Sequence, residues 1–189
     1  PNDIKKKYNI IVISITKSKE EALGKIAVGY HNVIEGGLIV LEGNKRDGID
    51  SIYKILSGIV PIEYSGSKSH GKMIVVKVAS EKIHFFSKWL KFSKPSLNED
   101  GFYTMPGLFS YKKADAGSMF LSSIFTEHLH GHVLDLGAGW GFLSANLLTK
   151  CSSIKSITLV DHDRRAIDCS KLNVPFKNAK FKWLDINNL

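Results

Sequence analysis

The segment Val133-Leu134-Asp135-Leu136-Gly137-Ala138-Gly139-Trp140-Gly141 constrains this chain more than any other. A short apolar run passes directly into glycines at alternate positions. Phe142 to Leu148 then offers good helix formers with an apolar face. A buried strand, a glycine turn and a helix are expected in that order, which is how a parallel α/β sheet opens. Glycine lets a ligand approach the backbone where a Cβ would block it. The N-terminus of the helix supplies unpaired N–H groups for an anionic end of that ligand.

The alternation continues. Ser156–Val160 reads as a second strand and ends in Asp161, 20 residues after Gly141. A carboxylate there can accept hydrogen bonds from both hydroxyls of a ribose. Asp163 is placed to cap the next helix, which carries Arg164, Ala166, Ile167 and Leu172. A third strand over 179–184 ends in Asp185, which either accepts from an adenine amino group or is a surface carboxylate at a strand end. Asp135 either braces the glycine loop or faces the ligand. A dinucleotide fingerprint, G-x-G-x-x-G, needs glycine where Phe142 stands. The spacing here is G-x-G-x-G, which disfavours a nicotinamide-dependent oxidoreductase.

Ahead of this region, Asp115-Ala116-Gly117-Ser118 leads into apolar residues from Met119 to Leu129 that fall near helical spacing, with Asp115 a reasonable N-cap. His128, His130 and His132 straddle a helix-to-strand junction without cysteine or carboxylate partners at ligand spacing, so no metal site is expected.

The first hundred residues also read as α/β. Ile10–Ile15 is a β-branched run, as in a strand covered on both faces. Ser18 and Glu21 form a capping box for a helix reaching about Val33, which Gly36-Gly37 should stop. Leu38–Leu41 reads as a second strand, 43–48 as a loop, and 49–59 as a second helix. Strands near 62–64 and 73–79 follow. This predicts a parallel start with an antiparallel finish. The first strand leads into Lys17-Ser18-Lys19, with no glycine loop, so this half is read as lacking a cofactor site of its own. Asn44-Lys45-Arg46 is a solvated turn or a phosphate contact. The polar stretch 93–101, rich in turn residues, is the best linker.

The length of 189 residues accommodates two such units, and an apolar fraction of 43% is enough for a core. Two cysteines, Cys151 and Cys169, are too few for a disulfide framework. No apolar run approaches about 18 residues, and Pro1–Lys7 has no apolar core of a signal peptide. No membrane segment is expected, and a reduced, cytoplasmic setting fits. A formal charge of +8 points to a polyanionic partner such as nucleic acid, or to simple solubility.

At the glycine loop and the two strand-end acids, the sequence resembles a class I S-adenosylmethionine-dependent methyltransferase. Pro106-Gly107-Leu108-Phe109-Ser110 and Asp115-x-Gly117-Ser118 resemble the "methyltransferase small" group. Within that group, 17–51 adds a resemblance to the bacterial 16S ribosomal RNA guanine-N2 methyltransferase C family, with the large-subunit relative G as near cousin. The resemblance implies a Rossmann-like tandem: a degenerate, partial first domain (1–94), a linker (95–104) and the cofactor-binding first half of a catalytic domain (105–189). It implies S-adenosyl-L-methionine as cofactor and ribosomal RNA or the small ribosomal subunit as partner. By it, Gly137, Gly139 and Gly141 pass close to the methionine part. Asp135 holds the loop and faces the amino end, Asp161 takes the ribose, and Asp185 sits by the adenine. Gly117 and Ser118 close over the carboxylate.

The family's target-base motif, Asn-Pro-Pro followed by Phe or Tyr, does not occur. Asn173-Val174-Pro175-Phe176 precedes the third strand and reads as a loop. The motif and its catalytic residues are therefore expected beyond Leu189, and the stretch alone is expected to be inactive. Two alternatives share the same cofactor residues or fold: a methyltransferase of another substrate class, and a non-catalytic RNA-binding or assembly factor.

Overall fold

The computed structural model describes residues 7–185. The chain divides into two compact units, one up to Lys94 and one from Pro95.

The first unit runs β1 (Tyr8–Ser14), α1 (Lys19–Asn32), β2 (Val33–Asn44), a 3-10 turn (Lys45–Asp47), α2 (Ile49–Ser57), β3 (Ile62–Lys68), β4 (Gly71–Lys77) and α3 (Ile83–Ser87). The sheet order is β1-β2-β4-β3, with β1 and β2 parallel and the other two pairings antiparallel. Ser18 Oγ accepts from Glu21 N at 3.3 Å and starts α1. The Glu21 carboxylate accepts from Thr16 Oγ1 and pairs with Lys25, each at 2.8 Å.

Ile13, Ile39, Leu41, Ile74 and Val76 cover one face of the sheet and bury against Ile26, Ile52 and Leu56 of the helices. The opposite face differs from expectation. Ile10 and Val12 remain 56% and 67% exposed, so β1 is covered on one face and not on two. Gly36-Gly37 does not stop α1 either. That helix ends at Asn32, where β2 begins, and the two glycines form an irregularity within β2. A Cβ at Gly37 would lie 2.5 Å from Val33 Cγ1 and 2.7 Å from Asn9 O, so the close approach of β1 admits only glycine.

The second unit runs β5 (Ser96–Leu97), β6 (Tyr103–Thr104), α4 (Ala116–Ser123), β7 (Gly131–Leu136), α5 (Phe142–Lys150), β8 (Ile154–Asp161), α6 (Arg164–Asn173) and β9 (Ala179–Trp183). Its sheet is β7-β8-β9, parallel throughout. Leu147, Ile154, Ile157, Leu159 and Val174 form its main core. Both cysteines are buried and free. Burial, with Asp168 and Asp163 nearby, pushes the Cys169 thiol up to about 12, so it is un-ionised and inert.

Three expectations change here. The stretch read as a linker holds a hairpin, Ser96 pairing with Thr104 and Leu97 with Tyr103. Asn98 Oδ1 accepts from Asp100 N and Phe102 N, and Asp100 Oδ2 accepts from Ala114 N. These side chains replace the backbone partners that a flexible segment would lack. The helix after Asp115 ends at Ser123 and leaves Phe120 and Ile124 exposed. β7 is not buried on both faces: Leu134 and Leu136 are more than half exposed.

Tyr30 locks the first unit. It is fully buried, stacks on Phe86 at 3.8 Å, donates to Ala79 O at 2.8 Å and accepts from Ala79 N at 3.0 Å. Replacing Tyr30→Phe leaves Ala79 N–H without its partner, while Ala79 O keeps Lys82 N–H at 3.0 Å. It should destabilise the fold by about 1–3 kcal/mol. Urea titration followed by Trp89 fluorescence, with the slope unchanged and the midpoint lowered, is the expected outcome.

Candidate functional site

The carboxyl ends of β7 and β8 carry the residues that the sequence singled out. β7 feeds the glycine loop, and Gly137 N and Ala138 N both donate to Val160 O, at 2.9 and 3.0 Å. The loop is thus bolted to the neighbouring strand before α5 begins. Gly137, Gly139 and Gly141 have φ of 73°, 55° and 87°, conformations that favour glycine. A Cβ on Gly137 or Gly139 would meet no protein atom within 4 Å, whereas one on Gly141 would lie 3.1 Å from Ser170 and Val174 of the α6 end. Gly141 is therefore required by packing as well as by backbone angle. The other two leave open volume above the loop.

Asp161 ends β8 and is 7% exposed. Its Oδ2 accepts from Gly139 N and its Oδ1 from Asp163 N, both at 2.8 Å. One side chain joins the loops that follow β7 and β8. Each carboxylate oxygen keeps a further lone pair, so the hydrogen-bonding capacity for hydroxyl donors is not exhausted. Asp163 caps α6, as its position suggested, accepting from Arg165 N at 2.9 Å.

Asp135 is half-buried on β7, and its Oδ2 accepts from the buried Ser144 hydroxyl on α5 at 2.6 Å. Its contact is with the helix; the loop is braced by Asp161. Burial pushes the Asp135 carboxyl above its ordinary range, the Ser144 hydrogen bond opposes this, and the Asp161 charge adds to it. Asp115 caps α4 through Ser118 N at 3.1 Å. Gly117 and Ser118 occupy the first turn of α4. Asp185 lies two residues past β9 and is exposed.

The segment before α4 does reach the site. Trp140 Nε1 donates to Phe109 O at 3.1 Å, and Leu108, Ala114, Trp140 and Ala166 share a core cluster.

Two residues escaped the sequence reading. Asn173 Nδ2 donates to Trp140 O at 2.7 Å and to Tyr103 O at 2.8 Å, while its Oδ1 accepts from Tyr103 N. It clamps the glycine loop from behind, and no spacing rule announces such a role. Trp183, paired with Asp161 across the sheet, is 61% exposed and held by Nε1–H to His162 O at 2.9 Å. An exposed tryptophan at a strand end beside a carboxylate was the available signal. The Arg164 guanidinium stands 5.7 Å from its ring. A groove of about 390 Å³, lined by Phe102, Leu148, Asn173 and Phe176 among others, lies on the helix flank away from these strand ends. Among the described residues there is no group of three potential metal ligands, and no helix is long and apolar enough to cross a membrane.

A parallel sheet with a glycine loop at the carboxyl end of one strand and a braced acid at the end of the next defines a class I methyltransferase type of fold. Residues 99–188 match the model of the methyltransferase small domain family. It is similar to the ribosomal RNA small subunit methyltransferase C of Buchnera aphidicola subsp. Cinara cedri, with 33% identity over 180 residues, covering 94% of this chain and 51% of the relative. The counterpart of subsp. Acyrthosiphon pisum is 34% identical over 78% of this chain and 44% of its own length. Among solved structures, the T. thermophilus 16S rRNA N2 G1207 methyltransferase in complex with AdoMet and guanosine superposes with a TM-score of 0.71 at 17% identity, a likeness of fold. That match covers 96% of this chain and 51% of the other. The chain spans about half the length of the relatives it matches.

The burial of Asp135 sets a pH dependence. A carboxyl whose folded pKa is raised favours the protonated form, so its contribution to stability is present below the ordinary carboxylate range and is lost as pH rises through the folded value. Asp135→Asn removes that loss and keeps an acceptor for Ser144. The variant should unfold at a higher temperature than the parent at pH 7, with the difference shrinking toward pH 4. Melts across that range check it, and an unchanged or lower melting temperature at pH 7 counts against the buried-charge account.

Proposed function

We propose that the second unit binds S-adenosyl-L-methionine and that the whole protein transfers its methyl group to the exocyclic N2 amine of a guanine in ribosomal RNA. The carrying observation is Asp161, buried at the end of β8 and joined to Gly139 N at 2.8 Å, with open volume over Gly137 and Gly139. A flat nucleoside with two adjacent hydroxyls and a charged tail suits that cradle. The methyltransferase C relatives support the same reading.

In this reading Asp161 accepts from the ribose hydroxyls, and Gly137, Gly139 and Gly141 admit the methionine portion. Asp135, oriented by Ser144, faces its ammonium group. Asp185 accepts from the adenine amino group, and the exposed Trp183 offers the ring a wall. Gly117 and Ser118, at the start of α4, meet the carboxylate. The bound cofactor would supply an electrophilic methyl group on a sulfonium. The chain's own part is to fix its orientation so that a guanine amine can approach along the S–C axis, which is where rate is gained in such a displacement. No described residue is assigned to the acceptor base. The first unit, whose first strand runs into Lys17-Ser18-Lys19, is assigned no cofactor. A cytoplasmic location follows from a ribosomal RNA substrate.

Titration calorimetry with S-adenosylmethionine tests the site. Two hydrogen bonds to a charged acceptor are worth roughly 1.5–3 kcal/mol each, so Asp161→Ala should weaken binding by more than tenfold. A thermal melt of the variant separates loss of the cofactor contact from loss of the loop. Unchanged affinity in a folded Asp161→Ala protein would overturn the assignment.

A further inference from the structure

The glycine loop of the second unit is anchored in two halves, by two different elements. The first half leans on β8: Gly137 N and Ala138 N donate to Val160 O, and Gly139 N donates to Asp161 Oδ2 at 2.8 Å. The second half is the Trp140–Gly141 peptide, and its anchor comes from the end of α6. Gly141 N donates to Ala138 O at 2.9 Å, and Trp140 O accepts from Asn173 Nδ2 at 2.7 Å. The C=O and N–H of a planar trans peptide point opposite ways, so these two bonds fix the plane from both sides. An anchor is needed at this place. Gly141 has φ of 87°, and glycine populates positive and negative φ about equally. Without its bonds the peptide before it turns over at little steric cost. Its direction sets how the chain enters α5, whose first-turn N–H groups have no side-chain cap. Asn173 is itself held the right way round. Tyr103 N donates to its Oδ1 and Tyr103 O accepts from its Nδ2, both at 2.8 Å. With Oδ1 and one Nδ2 hydrogen committed to Tyr103, the second hydrogen is aimed at Trp140 O.

We propose that Asn173 is a positioning residue for the methionine half of the cofactor. By holding the Trp140–Gly141 peptide it keeps the end of the loop and the start of α5 shaped for the amino-acid tail. The inference rests on the cofactor reading proposed above and divides that site between two anchors. Asp161 serves the ribose directly and fixes the first half of the loop. Asn173 acts only through Trp140 O, on the second half. Loss of the two anchors therefore has different signatures: one weakens the hold on the nucleoside, the other the hold on the tail.

The test is titration calorimetry on the full chain with two ligands. S-Adenosylhomocysteine and methylthioadenosine are neutral thioethers of the same nucleoside, and only the first carries the amino-acid tail. Asn173→Ala should weaken the tailed ligand by about fivefold or more, the effect of one net hydrogen bond, and leave methylthioadenosine within about twofold. Asn173→Asp keeps the acceptor for Tyr103 N but sets an oxygen against two carbonyl oxygens, and should give a larger loss of the same kind. Asp161→Ala should weaken both ligands. A merely structural role is read separately. Ile154→Ala, in the core at the amino end of β8, should lower the melting temperature and leave the ratio of the two affinities unchanged. Titrations are run well below the melting temperature of each variant. Asn173→Gln, which keeps the amide but displaces it by a methylene, stands in should the alanine variant not fold. Equal weakening of both ligands by the Asn173 variants, or no weakening of either, would overturn the role given to Asn173 and leave the cofactor reading intact. Binding of neither ligand by the parent chain would sink the cofactor reading, and this inference with it.

Discussion

The geometry of the second unit turns on one buried carboxylate. Removing Asp161 from water is costly unless its oxygens are hydrogen-bonded, and charge-assisted bonds to backbone N–H groups are the strong kind. Gly139 and Asp163 supply those N–H groups from two different loops. The side chain therefore gains its solvation only if both loops adopt the arrangement seen here. The rest follows from that arrangement. The first two peptides of the glycine loop reach Val160 O, Gly141 packs on the end of α6, and Asn173 holds Trp140 O from the rear. Loop and acid form one rigid piece before any ligand arrives, so little ordering entropy is left to be lost on binding.

Both units share a second constraint, written in their strand sequences. A strand buried on two faces reads as a near-continuous apolar run, and Ile10–Ile15, broken only by Ser14, and Val133–Leu136, broken only by Asp135, resemble one. In the structure alternate residues of each run enter a core, while Ile10, Val12, Leu134 and Leu136 stay more than half exposed. Both strands also end their sheets, β1 before β2 and β7 before β8. Apolar rows on edge strands are surfaces that soluble proteins ordinarily cover. Among the described residues the cover is one-sided, and the exposed apolar side chains of α4 extend the same pattern on the second unit.

The strand–glycine–helix–strand–acid order was legible because each element rests on local chemistry: β-branched runs, glycine at left-handed positions, an acid at a cap. Ser18, Asp115 and Asp163 all cap the helices that their types and positions announced. What stayed hidden depends on contacts between residues distant in sequence. Gly36-Gly37 looks like a helix stop in one dimension; it is a strand irregularity because Asn9 O passes within 2.7 Å of where a Cβ would be. Asn173 looks like part of a loop motif, yet its amide is spent on Tyr103 and Trp140, 70 and 33 residues away. The linker composition of 95–104 concealed a hairpin because turn residues signal a reversal as readily as a flexible joint. The bracing of the glycine loop, read onto Asp135, is made by Asp161 for the same reason: the partner of each is on another element.

Each unit contains a parallel βαβ step, β1-α1-β2 and β7-α5-β8, and the two differ in how the helix of that step begins. α1 starts at Ser18, whose own hydroxyl takes a first-turn N–H. Part of the positive end of that helix is satisfied internally, and the loop before it carries lysines. α5 starts at Gly141, which has φ of 87° and no side chain to offer, so its cap leaves the first-turn N–H groups without a side-chain acceptor. A glycine N-cap is destabilising by only about a few tenths of a kcal/mol relative to a good side-chain cap, and it is also the arrangement in which a bound carboxylate or phosphate can take the place of the cap. Stability and binding therefore ask for opposite residues at this one position. The first unit satisfies its own helix and displays cations outward, and the second keeps its helix end open beside a rigid glycine loop. That difference in a single cap residue closes the first-turn N–H groups of α1 with a side chain and leaves those of α5 without one.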